Sequence, residues 1–460
     1  MFQTLFAMYP TLQETMLALK QGRTTSVALT EAALEKAKNP AGEGKRVFTK
    51  LYEKQALAAA RASDTLRAAG IFRSPIDGIP ISIKDLFDVQ GETTLAGSMA
   101  RIGEPAATRN ATVVQRLLTA GAVIVGRTNM VEFAYSGLGI NPHYGTPLNP
   151  WDRSKARIPG GSSSGAGVSV TDGMSVAAIG SDTGGSVRIP AALCGIAGFK
   201  PSACRVSTDG VLPLSTQLDS IGPLAASVRC CATLDAIMSG LDITSDAQWQ
   251  AAQLKGLRMA VPKTVVLDQM DKHVQVTFEK ALDVLKLAGM EIEEIDVPEF
   301  SQLAEINAKG GFSAAEAWAW HRDLIARAGN KYDPRVLSRI MRGQTMTAAD
   351  YIDLLGARKS WIRAVEKRVL PYDGLLMPTV PVVAPTVEEV TSSDEAYFAI
   401  NALMLRNPSF INFLDGCALS IPCHEPGTAP VGLMVAGLNG VDSQILAIGM
   451  AIEDLLRARY

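Results

Sequence analysis

Histidine is scarce in this chain: four occur in 460 residues, His143, His273, His321 and His424, all widely separated. A histidine-based metal site or a Ser-His-Asp triad therefore has little material to draw on. Six cysteines, Cys194, Cys204, Cys230, Cys231, Cys417 and Cys423, form no CxxC spacing and read as small buried hydrophobes, the adjacent pair on an alanine-rich helical stretch. Neither sign of charge is in excess: 44 Lys plus Arg face 46 Asp plus Glu, for a net charge of -2. This argues against nucleic acid or an anionic membrane as the main partner. No apolar run approaches the roughly 18 residues of a membrane-crossing helix. The opening MFQTLFAMYPTLQETM lacks a basic cluster ahead of an apolar run, so a cytoplasmic protein without a leader is expected. Neither GxxxxGK[ST] nor a GxGxxG with its acidic partner occurs, which removes the usual nucleotide cradles.

What the chain has is an ample interior: 47% of residues are hydrophobic and mean hydropathy is +0.13. Helices are predicted over 11–20, from a Thr25 or Ser26 cap onward, and over 54–70, each closed by Gly or Asn-Pro signals. A βαβ rhythm follows. A short strand at 79–83 delivers Lys84, with Ile81, Ile83 and Asp85 on one side and Ser82 and Lys84 on the other. The helix of ATVVQRLLTAGAVIVGRT leads into a buried strand at 122–125, and Asn129, Met130, Glu132 and Phe133 follow where open α/β sheets place ligand contacts. Residues 220–223 read as a turn into a helix beginning near Ser227. Residues 302–370 are largely helical, suiting equally a cover over a cleft or a dimer contact. Without a linker or repeat, a single α/β domain spanning 1–460 is expected.

The segment from Ile158 to Pro201, IPGGSSSGAGVSVTDGMSVAAIGSDTGGSVRIPAALCGIAGFKP, is the most informative stretch. Its apolar positions require a core, so its glycines and serines belong to buried or half-buried backbone. Two Gly-Gly-Ser elements end at Ser162 and Ser186. A nucleophilic serine needs an activated hydroxyl and N–H groups aimed at the developing oxyanion, and Asp182-Thr183-Gly184-Gly185-Ser186 can supply a turn of successive N–H groups. With no histidine at hand, a buried neutral lysine is a competent base, and Lys84 is the candidate. Asp182 and Arg188 read as loop-holding partners, His143 as a structural hydrogen-bonding residue, and Lys200 as an exposed or carboxylate-paired lysine at a strand end.

Taken together, GGSSSG from Gly160, GSDTGGSVRIPAALCGIAGFKP from Gly180, Lys84 in GIPISIKD and GRTNMVEFA from Gly126 strongly resemble the amidase signature family. The resemblance runs from the first helices to the last. It implies an α/β fold with a twisted, mostly parallel mixed central β-sheet covered by helices on both faces. It also implies a Ser-cisSer-Lys triad: Ser186 as nucleophile, Ser162 as the bridging serine after a cis peptide bond, and Lys84 as general base. Thr183, Gly184, Gly185 and Ser186 carry the oxyanion-hole role, Ser163 a supporting hydrogen bond, and a homodimer is the implied assembly. No metal or cofactor is called for.

The family acts on aliphatic and aryl amides, amidated peptides, lipid amides, ureido compounds, carbamates and, in one branch, glutaminyl-tRNA formation. The passage STDGVLPLSTQLDSIGP and the C-terminal APVGLMVAG depart from the pattern of that tRNA-linked amidotransferase branch, which favours a stand-alone amidohydrolase. The amide-transferring component of a glutamyl/aspartyl-tRNA amidotransferase is one alternative, and a carboxybiuret- or allophanate-type hydrolase is the other. For the acyl pocket the expected residues are Met130, Phe133, Tyr135, Leu138, Ile140, Val187 and Ile189, with Trp318, Trp320 and Tyr332 at the mouth. Such an aromatic mouth suits an aryl amide or carbamate better than a dianionic acid.

Overall fold

Every residue of the strand Ala177–Asp182 is buried, the situation of a strand covered on both faces in a layered α/β protein. The computed structural model describes residues 9–243 and 249–459; the first eight residues, part of the stretch read for a leader, lie outside them. The strands in chain order are β1 (Phe48–Leu51), β2 (Pro80–Lys84), β3 (Val123–Thr128), β4 (Ala177–Asp182), β5 (Ala197–Lys200), β6 (Ser220–Ala225), β7 (Arg258–Pro262), β8 (Glu291–Ile295), β9 (Gly374–Pro378), β10 (Cys417–Pro422) and β11 (Gly432–Gly437). They join in one 11-stranded sheet with the order β1-β3-β2-β4-β6-β5-β10-β11-β9-β7-β8.

The sheet is mixed, but parallel pairing is confined to its two wings. There β2 runs parallel to β3 and β4, and β7 runs parallel to β8 and β9. The centre, from β4 through β9, is antiparallel. Part of this difference from a mostly parallel sheet comes from residues 220–223, which are strand rather than turn. β6 pairs with β4 residue for residue, from Ala177 with Ala225 to Asp182 with Ser220. The Gly222-Pro223 pair that signals a turn has another cause here: a Cβ at Gly222 would sit 2.0 Å from the Phe199 carbonyl oxygen, so glycine is needed for close strand approach.

Local signals place the helices well. Thr11 and Glu14 form a capping box on Leu12–Lys20, Thr25 caps Ser26–Lys38, and Ser227 caps Val228–Ser239. The helices pack as separate layers: Ser164–Thr171 contacts Arg188–Cys194 and β4, while Val228–Ser239 contacts Asp442–Ala458 and β6. Among the described residues, no helix is long and apolar enough to cross a membrane.

The alternation in β2 appears as two differently furnished faces. Ile81 and Ile83 enter the main apolar core. On the other face Ser82 Oγ lies 2.9 Å from Ser169 Oγ and 3.2 Å from Ser175 Oγ, beneath the helix Ser164–Thr171. Just beyond Lys84 the chain is clamped by a buried ion pair: Arg127 Nε donates to Asp85 Oδ1 at 2.6 Å, and its Nη2 donates to the carbonyls of Asp85 and Phe87 at 3.1 and 2.8 Å. Asp85 Oδ2 in turn accepts from Gly97 N at 3.0 Å.

Lys200 differs from its sequence reading. It is 1% exposed and has carbonyl acceptors instead of solvent or a carboxylate, its Nζ donating to Pro201 O at 2.5 Å and Gly416 O at 2.7 Å. Burial lowers its pKa to about 8. Pairing of β5 with β10 turns this strand end into the interior, which a local reading of Phe-Lys-Pro does not register.

Removing one partner of the Arg127–Asp85 pair leaves the other charge buried and alone. Arg127→Ala is expected to cost about 3–5 kcal/mol, read as a large fall in thermal midpoint, whereas an exposed pair such as Lys38–Glu53 should contribute less than about 1 kcal/mol.

Candidate active site

Lys84 closes β2, and Ser181 and Asp182 close β4, its parallel neighbour. The carboxyl ends of parallel strands are where open α/β sheets assemble ligand sites. Lys84 is fully buried, and its Nζ donates to Ser162 Oγ at 2.7 Å and to Ser181 Oγ at 2.8 Å. Among the described residues no carboxylate pairs with it. Burial lowers its pKa to about 7, against smaller opposing contributions from Asp182 and Asp219. A neutral amine has two N–H groups and one lone pair. The same 2.7 Å separation serves when the Ser162 hydroxyl donates to the unprotonated nitrogen.

Ser162 is delivered by a turn in which the Gly161–Ser162 peptide is cis. Backbone bonds hold this turn on two sides: on the first, Gly161 N donates to Gly137 O at 2.8 Å and Val131 N donates to Ser162 O at 3.0 Å, and on the second, Ser163 N donates to Ser186 O at 3.3 Å. The second ties the two Gly-Gly-Ser elements together. Ser163 Oγ also donates to Ser181 O at 3.3 Å, locking the strand end that carries Lys84's other acceptor.

Ser186 stands in the turn between β4 and the helix Arg188–Cys194, and it lines a cavity of ≈ 210 Å³ with Thr183 and Gly184. Asp182 organises this turn. Its carboxylate accepts from Gly185 N at 2.8 Å and Val187 N at 3.1 Å, and Arg188 grips both its oxygens through Nε at 3.0 Å and Nη2 at 2.9 Å. Full burial works to raise the Asp182 pKa, but the Arg188 guanidinium outweighs it and keeps the carboxyl well below its usual range. Asn412 completes the clamp, donating to Asp182 O at 3.0 Å and accepting from Arg188 Nη2 at 2.7 Å.

The turn needs glycine at 185: φ is 122°, and a Cβ there would lie 2.6 Å from Pro408 Cβ. Because the Gly185 N–H is committed to Asp182, the four N–H groups expected to act together divide. Those of Thr183, Gly184 and Ser186 take no acceptor among the described residues, whereas that of Gly185 supports the turn. Thr183 is further held by its hydroxyl, which donates to Asp219 Oδ1 at 2.5 Å. Asp219 also accepts from Leu214 N and Ser215 N at 3.0 and 3.1 Å, and burial pushes its pKa up to about 6.

Of the residues expected to form the acyl pocket, the structure brings only Tyr135 to this cavity. Met130 is fully buried, and Phe133 stacks edge-on against His321 at 4.3 Å and packs near Tyr332 at 5.1 Å. Leu138, Ile140 and Ile189 enter an apolar cluster with Tyr397 and Met404, and Val187 another with Ala178 and Leu224. Trp318, Trp320 and Tyr332 do not line it. Its wall instead uses Leu303, Phe312 and Ala314 from the helices Glu299–Ile306 and Gly311–Ala328, and its charged groups are Arg339 and Arg342. The signal for Ser181 lies inside GSDTGGS. Arg339 and Arg342 offer only their three-residue spacing, which puts them on one side of a helical turn.

No histidine among the described residues contacts Lys84, Ser162 or Ser186. His143 Nε2 lies 3.0 Å from Glu132 Oε1, and His321 Nδ1 lies 2.9 Å from the Tyr332 hydroxyl.

The family model described as Amidase matches residues 28–446, and the chain belongs to that family. It is 33% identical over 407 residues to a 2-amino-5-chloromuconic acid deaminase of Comamonas testosteroni, covering 87% of each chain. It is 34% identical to the A subunit of a glutamyl-tRNA(Gln) amidotransferase of Chloroflexus aggregans, covering 97% of this chain and 96% of that one. A solved amidase structure superposes with a TM-score of 0.86 at 33% identity, covering 98% of this chain and all of the other. The chain is thus an amide-hydrolysing enzyme of the amidase family.

With Lys84 losing its proton near 7, kcat/KM is expected to rise with pH through about 7 and level off above it. Asp219, ionised above about 6, holds the proton on Lys84 more tightly, so Asp219→Asn should move this acid limb to lower pH. A pH–rate profile of the two proteins checks the sign, and a limb that moves to higher pH would contradict it.

Proposed function

We propose that the chain is a stand-alone amidohydrolase that cleaves the C–N bond of a small amide through an acyl-enzyme on Ser186. Supporting this reading above all is a fully buried amine whose hydrogen-bond partners among the described residues are hydroxyls, one of them on the serine turn bonded to the Ser186 backbone. Neutral Lys84 takes the Ser162 hydroxyl proton as Ser162 takes that of Ser186. Ser186 Oγ bonds to the carbonyl carbon, and the carbonyl π electrons move to oxygen, where the free N–H groups of the 183–186 turn stabilise the charge. Collapse breaks the C–N bond, and the proton on Lys84 returns through Ser162 to the leaving nitrogen. Water then gives up a proton along the same path as it adds to the acyl group, and release of the acid restores Ser186.

The amidotransferase reading retains one specific support, near-full-length similarity to the A subunit of a glutamyl-tRNA(Gln) amidotransferase. The two readings part on whether the chain turns over a simple amide alone. The purified protein, without added partner proteins, is expected to hydrolyse small amides. Ser186→Ala and Lys84→Ala should each lower kcat by ~10³-fold or more with little change in thermal midpoint. Near wild-type turnover by Lys84→Ala at neutral pH would sink the relay; ammonia release only in the presence of a partner complex would favour the amidotransferase reading.

A further inference from the structure

The helix Asp394–Phe413 carries three asparagines, Asn401, Asn407 and Asn412, and all three are buried. Asparagine is a poor helix former, and a buried amide is costly unless it is hydrogen-bonded, so their value lies in what they hold. Asn407 anchors the helix to the rest of the fold, donating to Pro378 O at 2.9 Å and Val266 O at 3.1 Å. Asn412 belongs to the Asp182–Arg188 clamp beneath the Ser186 turn. Asn401 serves elsewhere: its Oδ1 accepts from Gly137 N at 2.8 Å and from Ser136 Oγ at 2.9 Å.

Gly137 leads directly to the other serine turn. Its carbonyl accepts from Gly161 N at 2.8 Å, on the residue whose peptide bond to Ser162 is cis. No side chain separates the two backbones: a Cβ on Gly161 would lie 2.6 Å from Gly139 N, and one on Gly139 would lie 2.5 Å from Gly160 O. A shift of residues 136–139 is therefore passed on to the Ser162 turn, because close-packed backbone leaves no slack to absorb it. From Asn401 the path runs through Gly137 and Gly161 to Ser162, and on to Lys84 by the 2.7 Å bond. Asn401 and Asn412 are eleven residues apart, about three helical turns, which sets them on one side of the helix. Leu405 and Ser409 lie between them. A Cβ at Gly137 or Gly184 would lie 3.1 or 3.6 Å from Leu405 Cδ2, and Ser409 Oγ donates to Gly184 O at 3.5 Å.

We propose that Asn401 is a positioning residue for Ser162, and that the helix Asp394–Phe413 thereby braces both serine turns from one side. This rests on the reading of Ser186 as the nucleophile and Ser162 as its relay. The two turns are tied directly by the 3.3 Å bond from Ser163 N to Ser186 O, and the helix adds a second, rigid link between them. Asn401 acts on Gly137 and Ser136 as an acceptor, through Oδ1. An aspartate has the same shape and keeps that acceptor, whereas alanine removes it.

The test labels the enzyme with an alkyl fluorophosphonate, whose phosphorus bonds to Ser186 Oγ as fluoride leaves and the serine proton passes to Ser162. The maximal labelling rate reports activation of the serine, and the half-saturating concentration reports binding of the probe. Asn401→Ala is expected to lower the maximal rate by about 10- to 100-fold, the effect of a misplacement on the order of 1 Å, with a smaller change in the half-saturating concentration. Asn401→Asp should restore most of that rate. Amide hydrogen exchange followed by NMR gives a readout independent of the reaction: the Gly161 N–H should exchange about 10-fold faster in Asn401→Ala, as its bond to Gly137 weakens, and return toward wild type in Asn401→Asp. Circular dichroism checks that the variants fold, and Asn401→Ser, with its shorter side chain, takes the place of Asn401→Ala should that variant fail to fold. A folded alanine or serine variant with unchanged labelling or unchanged Gly161 exchange would overturn the positioning role and leave the Ser186 reading standing, as would an aspartate variant that labels no faster than the alanine one. Wild-type enzyme that is not labelled at Ser186 would sink the Ser186 reading, and the Gly161 exchange alone would then decide whether Asn401 holds the turn.

Discussion

A lysine amine buried among hydroxyls, with no carboxylate paired to it among the described residues, is the constraint around which this molecule is built. An isolated ammonium in a dry interior is costly, and burial lowers the Lys84 pKa to about 7. That outcome depends on where the nearby negative charge goes. Asp182, at the end of the neighbouring strand, would be the natural partner of Lys84, yet Arg188 holds both of its oxygens and Asn412 donates to one of them as well. Asp219 is spent on Thr183 and the backbone of Leu214 and Ser215. Lys84 is left with Ser162 and Ser181, groups that can exchange a proton with it without fixing its charge.

The sheet makes this arrangement possible. Lys84 and Ser181 come from the ends of two parallel strands, so their side chains meet without a long loop to place either one. β6 pairs along the other edge of β4 and brings Asp219 to the hydroxyl of Thr183. Lys84 and Ser181 therefore stand on buried strands, and Ser162 and Ser186 on turns tied together by a backbone bond. Other residues lining the cavity come from elsewhere in the chain: Leu303, Phe312 and Ala314 from the helices Glu299–Ile306 and Gly311–Ala328, Arg339 from the helix Pro334–Met341, and Leu405 and Ser409 from the helix Asp394–Phe413.

The legible parts of the sequence are those governed by near neighbours. Thr11, Thr25 and Ser227 cap helices through bonds spanning three residues, and a single-chain reading sees them directly. Lys84, Ser162, Ser163, Asp182, Ser186 and Arg188 lie in compact motifs, and the structure brings them to one place. Long-range placement is not legible. Ser220–Pro223 carries turn residues but becomes strand because β4 pairs with it residue for residue, while β5 pairs with the same strand at Leu224 and Ala225. Met130, Phe133, Leu138 and Ile140 follow β3 as pocket residues should, yet the tertiary fold turns them into apolar clusters. Arg339 and Arg342 have no local mark beyond their spacing, since it is the tertiary fold that brings them to the cavity of Ser186.

Direct observation of the Lys84 side chain offers the sharpest measurement: an NMR titration of the protein with lysine ¹³C-labelled at Cε, the resonance assigned by its loss in Lys84→Ala. A midpoint near 7 is expected, well below the ~10.4 of a lysine side chain free in water. A Lys84 signal that stays protonated up to that reference value would contradict a neutral amine at the centre of the site.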